Sequence, residues 1–226
     1  MPRRRPKPPL VFANRSDAGR RLASALVRYK GQSPVVLALP RGGAPVAAEI
    51  AAELGAGLDL ILVRKIGVPF QPELAMGAVA DGAHAVTVRN EDVIALAGVS
   101  EARFNEVRDR ELAEIERRRK LYLADRPRAV IAGRTVIVVD DGIATGATIR
   151  AALRAVRAQR PDKVVLAAPV AASETLADLR READDIVCLG AYDDFGAIGF
   201  YYRDFQQVSD ETVRSLLQAH PVQPRT

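Results

Sequence analysis

Apolar positions along this chain follow two periods. Short continuous runs recur at Pro34–Leu39, Leu58–Val63, Thr135–Val139, Lys163–Val170 and Asp185–Leu189. Each is four to eight residues long, rich in Val, Ile, Leu and Ala, and bounded by turn residues. Such runs predict strands buried on both faces. Between them the apolar residues space out. Ala18, Leu22, Ala25, Leu26 and Tyr29 share one helical face behind a capping Ser16, and Gly31 supplies the stop. Ala44–Leu54, Ala147–Gln159 and Ser173–Arg181 read as helices too. Strand–helix alternation predicts an α/β fold: a parallel-sheet core flanked by helices.

The alternation breaks after residue 70. Ala75–Arg89 reads as a hairpin with Asp81-Gly82 near its turn, then Asn90–Gly98 as a short helix. Ser100 opens a long helix to about Leu123, with Phe104, Val107, Leu112, Ile115 and Tyr122 in a narrow stripe. The rest of that helix is charged, with Arg117–Lys120 interleaved among glutamates, as on a solvated face laced with ion pairs. We therefore expect a single domain over 1–226, with a hairpin-plus-long-helix insert at 70–130 and a flexible tail at 1–9. Six of the eleven aromatic residues crowd between Tyr192 and Phe205. They predict a small C-terminal hood at 190–208, in which Phe200, Tyr201 and Tyr202 could stack a planar acceptor. Ser209 then caps a final helix.

The chemistry concentrates at Val136–Thr148, Val-Ile-Val-Val-Asp-Asp-Gly-Ile-Ala-Thr-Gly-Ala-Thr. A buried strand ends in Asp140 and Asp141, at the sheet edge where open α/β folds bind ligands. The turn Ala144, Thr145, Gly146, Ala147, Thr148 can aim free amides and two hydroxyls at an anion, helped by a helix N-terminus. A phosphate cradle beside a carboxylate pair suits a sugar phosphate. Arg41-Gly42-Gly43 forms a second strand–turn–helix junction earlier in the chain, and Lys65 is expected at the end of the second strand, Leu58–Val63.

Val136–Thr148 resembles the PRPP-binding signature of the type I phosphoribosyltransferases, within which the chain looks most like an uncharacterised group with a long insert. Gly142 departs from that signature, where a branched apolar residue commonly sits. The resemblance implies the following roles. Asp140 and Asp141 hold the ribose hydroxyls, and residues 144–148 hold the 5′-phosphate. Arg41, Gly42, Gly43 and Lys65 hold the pyrophosphate. Mg²⁺ binds through PRPP and water near Asp140 and Asp141, with no direct protein ligand set. The implied reaction is transfer of the phosphoribosyl group to a small nitrogen acceptor such as a nucleobase, with release of pyrophosphate. The implied partners are PRPP, that acceptor and a second copy of the chain in a homodimer. The segment between the second and third core strands carries a catalytic lid in that family, and here the larger insert takes its place.

Composition narrows the alternatives. The excess of 33 basic over 28 acidic residues suits anionic substrates but does not separate them from nucleic acid. A PRPP-sensing, nucleic-acid-binding regulator on the same fold is one rival, motivated by the basic tail and Arg117–Lys120; the interleaved acids argue against it. A hydrolase of phosphoribosyl esters is another. The only histidines are His84, in the expected hairpin, and His220, near the C-terminus, so neither a zinc set nor a His-based triad is expected. The lone Cys188 in an apolar run fits a buried thiol in a reducing cytoplasm. No apolar run approaches the roughly 20 residues that a membrane span needs.

Overall fold

The computed structural model describes residues 10–81, 85–124 and 126–222. The expected tail at 1–9 and the Gly82–His84 turn lie outside them. The core is a five-stranded parallel sheet in the order β2-β1-β6-β7-β8. Its strands are β1 (Val35–Ala38), β2 (Gly57–Leu60), β6 (Thr135–Val139), β7 (Lys163–Ala172) and β8 (Asp185–Tyr192). Side chains alternate across it. Val36, Ala38, Ile137 and Val139 pack on one face with α1 (Arg15–Leu26), α2 (Gly43–Leu54) and α7 (Asp210–Ala219). Val35, Leu37, Val136 and Val138 pack on the other with α5 (Ala147–Ala158) and α6 (Ser173–Leu179). Both faces are dry, so these strands read as continuous apolar runs rather than alternating ones.

Helix starts follow local chemistry. Asn14, not Ser16, caps α1 by accepting from the Asp17 amide at 3.0 Å. Ser209 caps α7, accepting from the Thr212 amide at 3.0 Å. α1 ends at Leu26 and tightens into a 3₁₀ turn at Val27–Tyr29.

The insert departs from expectation at its root. The second apolar run, Leu58–Val63, does not make one strand. β2 ends at Leu60, and Val63–Val68 leaves the parallel sheet as β3. It joins β4 (Gln71–Ala80) and β5 (Val86–Arg89) in a separate three-stranded antiparallel sheet. Ile66, Val68, Met76 and Val79 on that sheet are buried in the main core beside Phe104, Val107 and Ile115. The last three belong to α4 (Glu101–Leu123), which is capped by Ser100 and preceded by the short α3 (Glu91–Leu96). The insert thus keeps the expected hairpin (β4–β5) and long helix, and gains β3 as a third strand packed on the core.

A buried polar latch fastens its far end. The Asp59 carboxylate accepts the amides of Leu60 and Ala129, each at 2.8 Å. Asp81 accepts the Leu62 amide at 2.8 Å and Arg128 Nη2 at 2.9 Å. Burial raises both carboxyl pKa values above the ordinary range.

Candidate active site

β1 and β6 are neighbours in register, Ala38 beside Val139, so the loops that follow them emerge side by side. The Leu39 amide donates to the Val139 carbonyl at 2.9 Å and extends that pairing into the loops. The close approach depends on Gly42: a Cβ there would lie 2.1 Å from Asp141 Oδ2. Arg41-Gly42-Gly43 and Asp140-Asp141, distant in sequence, therefore meet as one surface. The Pro40–Arg41 peptide bond is cis.

The two carboxylates differ in environment. Asp140 Oδ1 accepts the Asp141 amide at 2.9 Å. Burial, and next the charge of Asp141, push the Asp140 carboxyl well above its ordinary pKa. Asp141 is paired: Arg15 Nε donates to its Oδ2 at 2.7 Å, with both side chains about nine-tenths buried. The Arg15 guanidinium lies 3.9 Å from the Phe205 ring centroid and donates to the Gln206 carbonyl at 2.7 Å. The Tyr202 hydroxyl donates to the Asp141 carbonyl at 2.6 Å.

Residues 144–148 wrap the start of α5, with Gly146 at its N-cap. Among the described residues none of their five amides donates to another group of the chain. The Thr145 and Thr148 side chains are exposed and likewise uncommitted. The Thr175 hydroxyl steadies the loop by donating to the Ala144 carbonyl at 2.6 Å. Unspent amides at a helix N-terminus are the means by which a protein holds a phosphate.

A phosphoribosyl transferase domain model matches residues 12–205. The chain belongs to the phosphoribosyl transferase family. It is 46% identical over 211 residues to "Putative phosphoribosyl transferase Rv0571c" of Mycobacterium tuberculosis, and the match covers 93% of this chain. The chain spans about half the length of that relative, 47%. The crystal structure of TT1426 from Thermus thermophilus is 41% identical, with a TM-score of 0.82 over 94% of this chain and 100% of that one.

Within this phosphoribosyl transferase domain, four expected positions need correction. Lys65 does not end a core strand. It lies within β3, paired with Ala78, and its ammonium contacts the Glu73 carbonyl and carboxylate, both at 3.1 Å. It lines a cavity of about 460 Å³ against Ala147, Thr148 and Arg150, away from the 41–43 loop. Arg41 turns toward the C-terminal helix, with Nη1 3.6 Å from Asp210 Oδ1; Asp210 also accepts the Tyr122 hydroxyl at 2.6 Å. Tyr201 and Tyr202 are 5% and 6% exposed, packed with Phe12 and Phe195, and their hydroxyls are spent on backbone carbonyls. They support the site instead of presenting a stacking face, and of the expected trio only Phe200 is exposed.

Gly142 is explained by the same hood. A Cβ there would meet Ile198 Cγ2 at 2.6 Å. Ile198, from the 3₁₀ turn Ile198–Tyr201, fills the space that a branched residue would otherwise take. The sequence reading also missed Arg15. Nothing in Asn-Arg-Ser at a helix start signals an arginine aimed at a carboxylate 126 positions away.

Cys188, expected as a buried thiol, is partly buried. It donates to the Gly190 carbonyl at 3.2 Å, and burial pushes its pKa up to about 11. Among the described residues no helix is long and apolar enough to cross a membrane.

Proposed function

We propose that the protein transfers the 5-phosphoribosyl group from PRPP to a small nitrogen acceptor, such as a nucleobase, and releases pyrophosphate. One observation carries the reading: uncommitted amides and threonine hydroxyls at 144–148 stand on the same loop as Asp140 and Asp141, beside the 41–43 turn. The amides take the 5′-phosphate and the carboxylates take the ribose hydroxyls. The amides of Arg41 and Gly42, which donate to no other group of the chain among the described residues, face the pyrophosphate.

Bond breaking at the anomeric carbon leads bond formation in glycosyl transfer, so positive charge grows on the ribose ring. Asp140 and Asp141 beneath the ring favour that charge, and donors around the pyrophosphate favour its departure. Mg²⁺ fits this donor set. Among the described residues no group of three or more His, Cys, Asp or Glu could cage a metal. Two carboxylates beside a polyphosphate suit an ion that keeps most of its water. It would neutralise charge on the leaving group.

The insert, rooted at β3 and ending with α4, borders the site: Arg64, Ile115 and Arg118 line one cleft with Pro40, Asp140 and Thr148. Its basic run is largely committed within α4: Arg117 and Arg118 both pair with Glu114, and Arg119 pairs with Glu116. This favours the transferase over the nucleic-acid-binding alternative. The direct test is incubation of the protein with PRPP, Mg²⁺ and a panel of nucleobases. Pyrophosphate release that requires one base, and is lost in Asp140→Asn, supports the reading. Phosphate release from phosphoribosyl esters without a base would replace it with a hydrolase.

A further inference from the structure

Asp141 is held in place from outside its own loop. Its side chain is about nine-tenths buried beside a second acid, and its charge is one of the causes that raise the Asp140 carboxyl. Two neighbouring carboxylates in a poorly solvated place need a compensating cation. Among the described residues Arg15 is the one cation that pairs with either of them. Arg15 Nε donates to Asp141 Oδ2, and Oδ1 accepts from no N–H of the described residues. One carboxylate oxygen is thereby occupied and the other is left for a hydroxyl.

Arg15 is itself fixed, in its side chain and in its backbone. Its guanidinium packs on the Phe205 ring, and Nη1 donates to the Gln206 carbonyl. The chain just before it pairs with the hood. The Phe12 amide donates to the Tyr201 carbonyl at 2.8 Å, the Arg203 amide to the Phe12 carbonyl at 2.9 Å, and the Asp204 amide to the Ala13 carbonyl at 3.0 Å. Asn14 then caps α1, of which Arg15 is the first residue. Tyr202, from the same hood segment, holds the Asp141 carbonyl, and Ile198 fills the space beside Gly142. Several contacts from distant parts of the chain therefore converge on two residues of the motif. An exposed ion pair of this length would contribute little. This one is buried and braced on its far side, so its carboxylate keeps one orientation and gives up little rotamer freedom when a ligand arrives.

We propose that Arg15 is a positioning residue that fixes the Asp141 carboxylate so that its remaining oxygen accepts a ribose hydroxyl of PRPP. This rests on the transferase reading, and Arg15 acts through Asp141, not on the substrate itself. The hood then serves the donor end of the site: Phe205, Gln206 and Tyr202 brace the pair that reads the ribose.

The test is calorimetric binding of PRPP, ribose 5-phosphate and inorganic pyrophosphate in Mg²⁺ buffer. The full chain is compared with Arg15→Ala, Arg15→Lys, Asp141→Asn and Arg15→Ala/Asp141→Asn. Arg15→Ala should weaken both ribose-bearing probes about tenfold or more, the scale of a lost charge-assisted hydrogen bond. Pyrophosphate, which has no ribose, should bind nearly as before and so reports that the variant is folded. Arg15→Lys should recover part of the loss, because it returns the charge but cannot span Asp141 and Gln206 as a guanidinium does. Should the alanine variant not fold, the lysine variant carries the same comparison: weakened PRPP against unchanged pyrophosphate. Once Asp141→Asn is present, Arg15→Ala should add little further loss. Equal weakening of pyrophosphate would mark a structural role and overturn the proposal. So would fully additive losses in the double variant. Unchanged PRPP and ribose 5-phosphate binding in Arg15→Ala would overturn it too, and would leave the transferase reading standing. Failure of the unaltered chain to bind PRPP at all would overturn both.

Discussion

Arg15 and Asp141 form a nearly buried ion pair, Nε to Oδ2 2.7 Å, that ties the first helix to the centre of the candidate site. The pair fixes the Asp141 carboxylate before any ligand arrives. Phe205 supports the guanidinium from below and Tyr202 holds the backbone of the same aspartate. Removing one partner leaves a charge stranded in a poorly solvated place. Arg15→Ala should therefore lower stability by about 3 kcal/mol in urea unfolding. Asp141→Ala in the same chain should recover part of that loss. A double-mutant cycle with no coupling would show the contact to be incidental.

Gly142 and Ile198 are complementary. Gly142→Val inserts a side chain into space that Ile198 already fills, and overpacking of this kind costs about 1–3 kcal/mol. Ile198→Ala alone should leave a small void, while the double variant should approach the original thermal midpoint. A double variant no more stable than Gly142→Val would contradict the packing argument.

The hood tyrosines support structure. Tyr202→Phe removes the donor to the Asp141 carbonyl and should cost about 1 kcal/mol in chemical denaturation. Phe200→Ala, at a ring 76% exposed, should leave stability nearly unchanged. The opposite order of effects would return Tyr202 to the role of an acceptor platform.

The buried latch carries a pH signature. Asp59→Ala leaves two amides without an acceptor and should destabilise by about 1–3 kcal/mol. In the folded chain burial raises the Asp59 pKa above its unfolded value. That titration favours folding below the unfolded pKa, and the gain is lost as pH rises through the folded one. The alanine variant has no such dependence at this position. The stability gap between the two chains should therefore be widest in acid and narrow toward neutral pH. A gap that widens as pH rises through that window would mean that the carboxylate, not the acid, is the form the fold prefers.

Much of this was legible in the sequence, for identifiable reasons. Val136–Val139 is buried on both faces, so its period showed at once, and Asp140-Asp141 marked its end. The 144–148 turn followed from amides at a helix start. The break inside Leu58–Val63 was hidden because Ile61 and Leu62 remain apolar and buried after the strand has ended. That misplaced Lys65. Alternation in Val63–Val68, with Arg64 and Lys65 on opposite faces, was the available signal for a half-buried strand. Tyr201 and Tyr202 misled because an aromatic cluster packs a core as readily as it stacks a ligand. Arg15 acts through tertiary approach, for which local sequence has no period.

The central claim is that Val136–Thr148 and the 41–43 turn together bind PRPP. Titration calorimetry of the full chain with PRPP, with and without Mg²⁺, tests it most directly. Saturable one-to-one binding that strengthens with Mg²⁺ is the predicted result, and Asp140→Asn/Asp141→Asn should weaken it by about tenfold or more. No heat of binding at millimolar PRPP, or binding indifferent to both aspartates, would contradict the account.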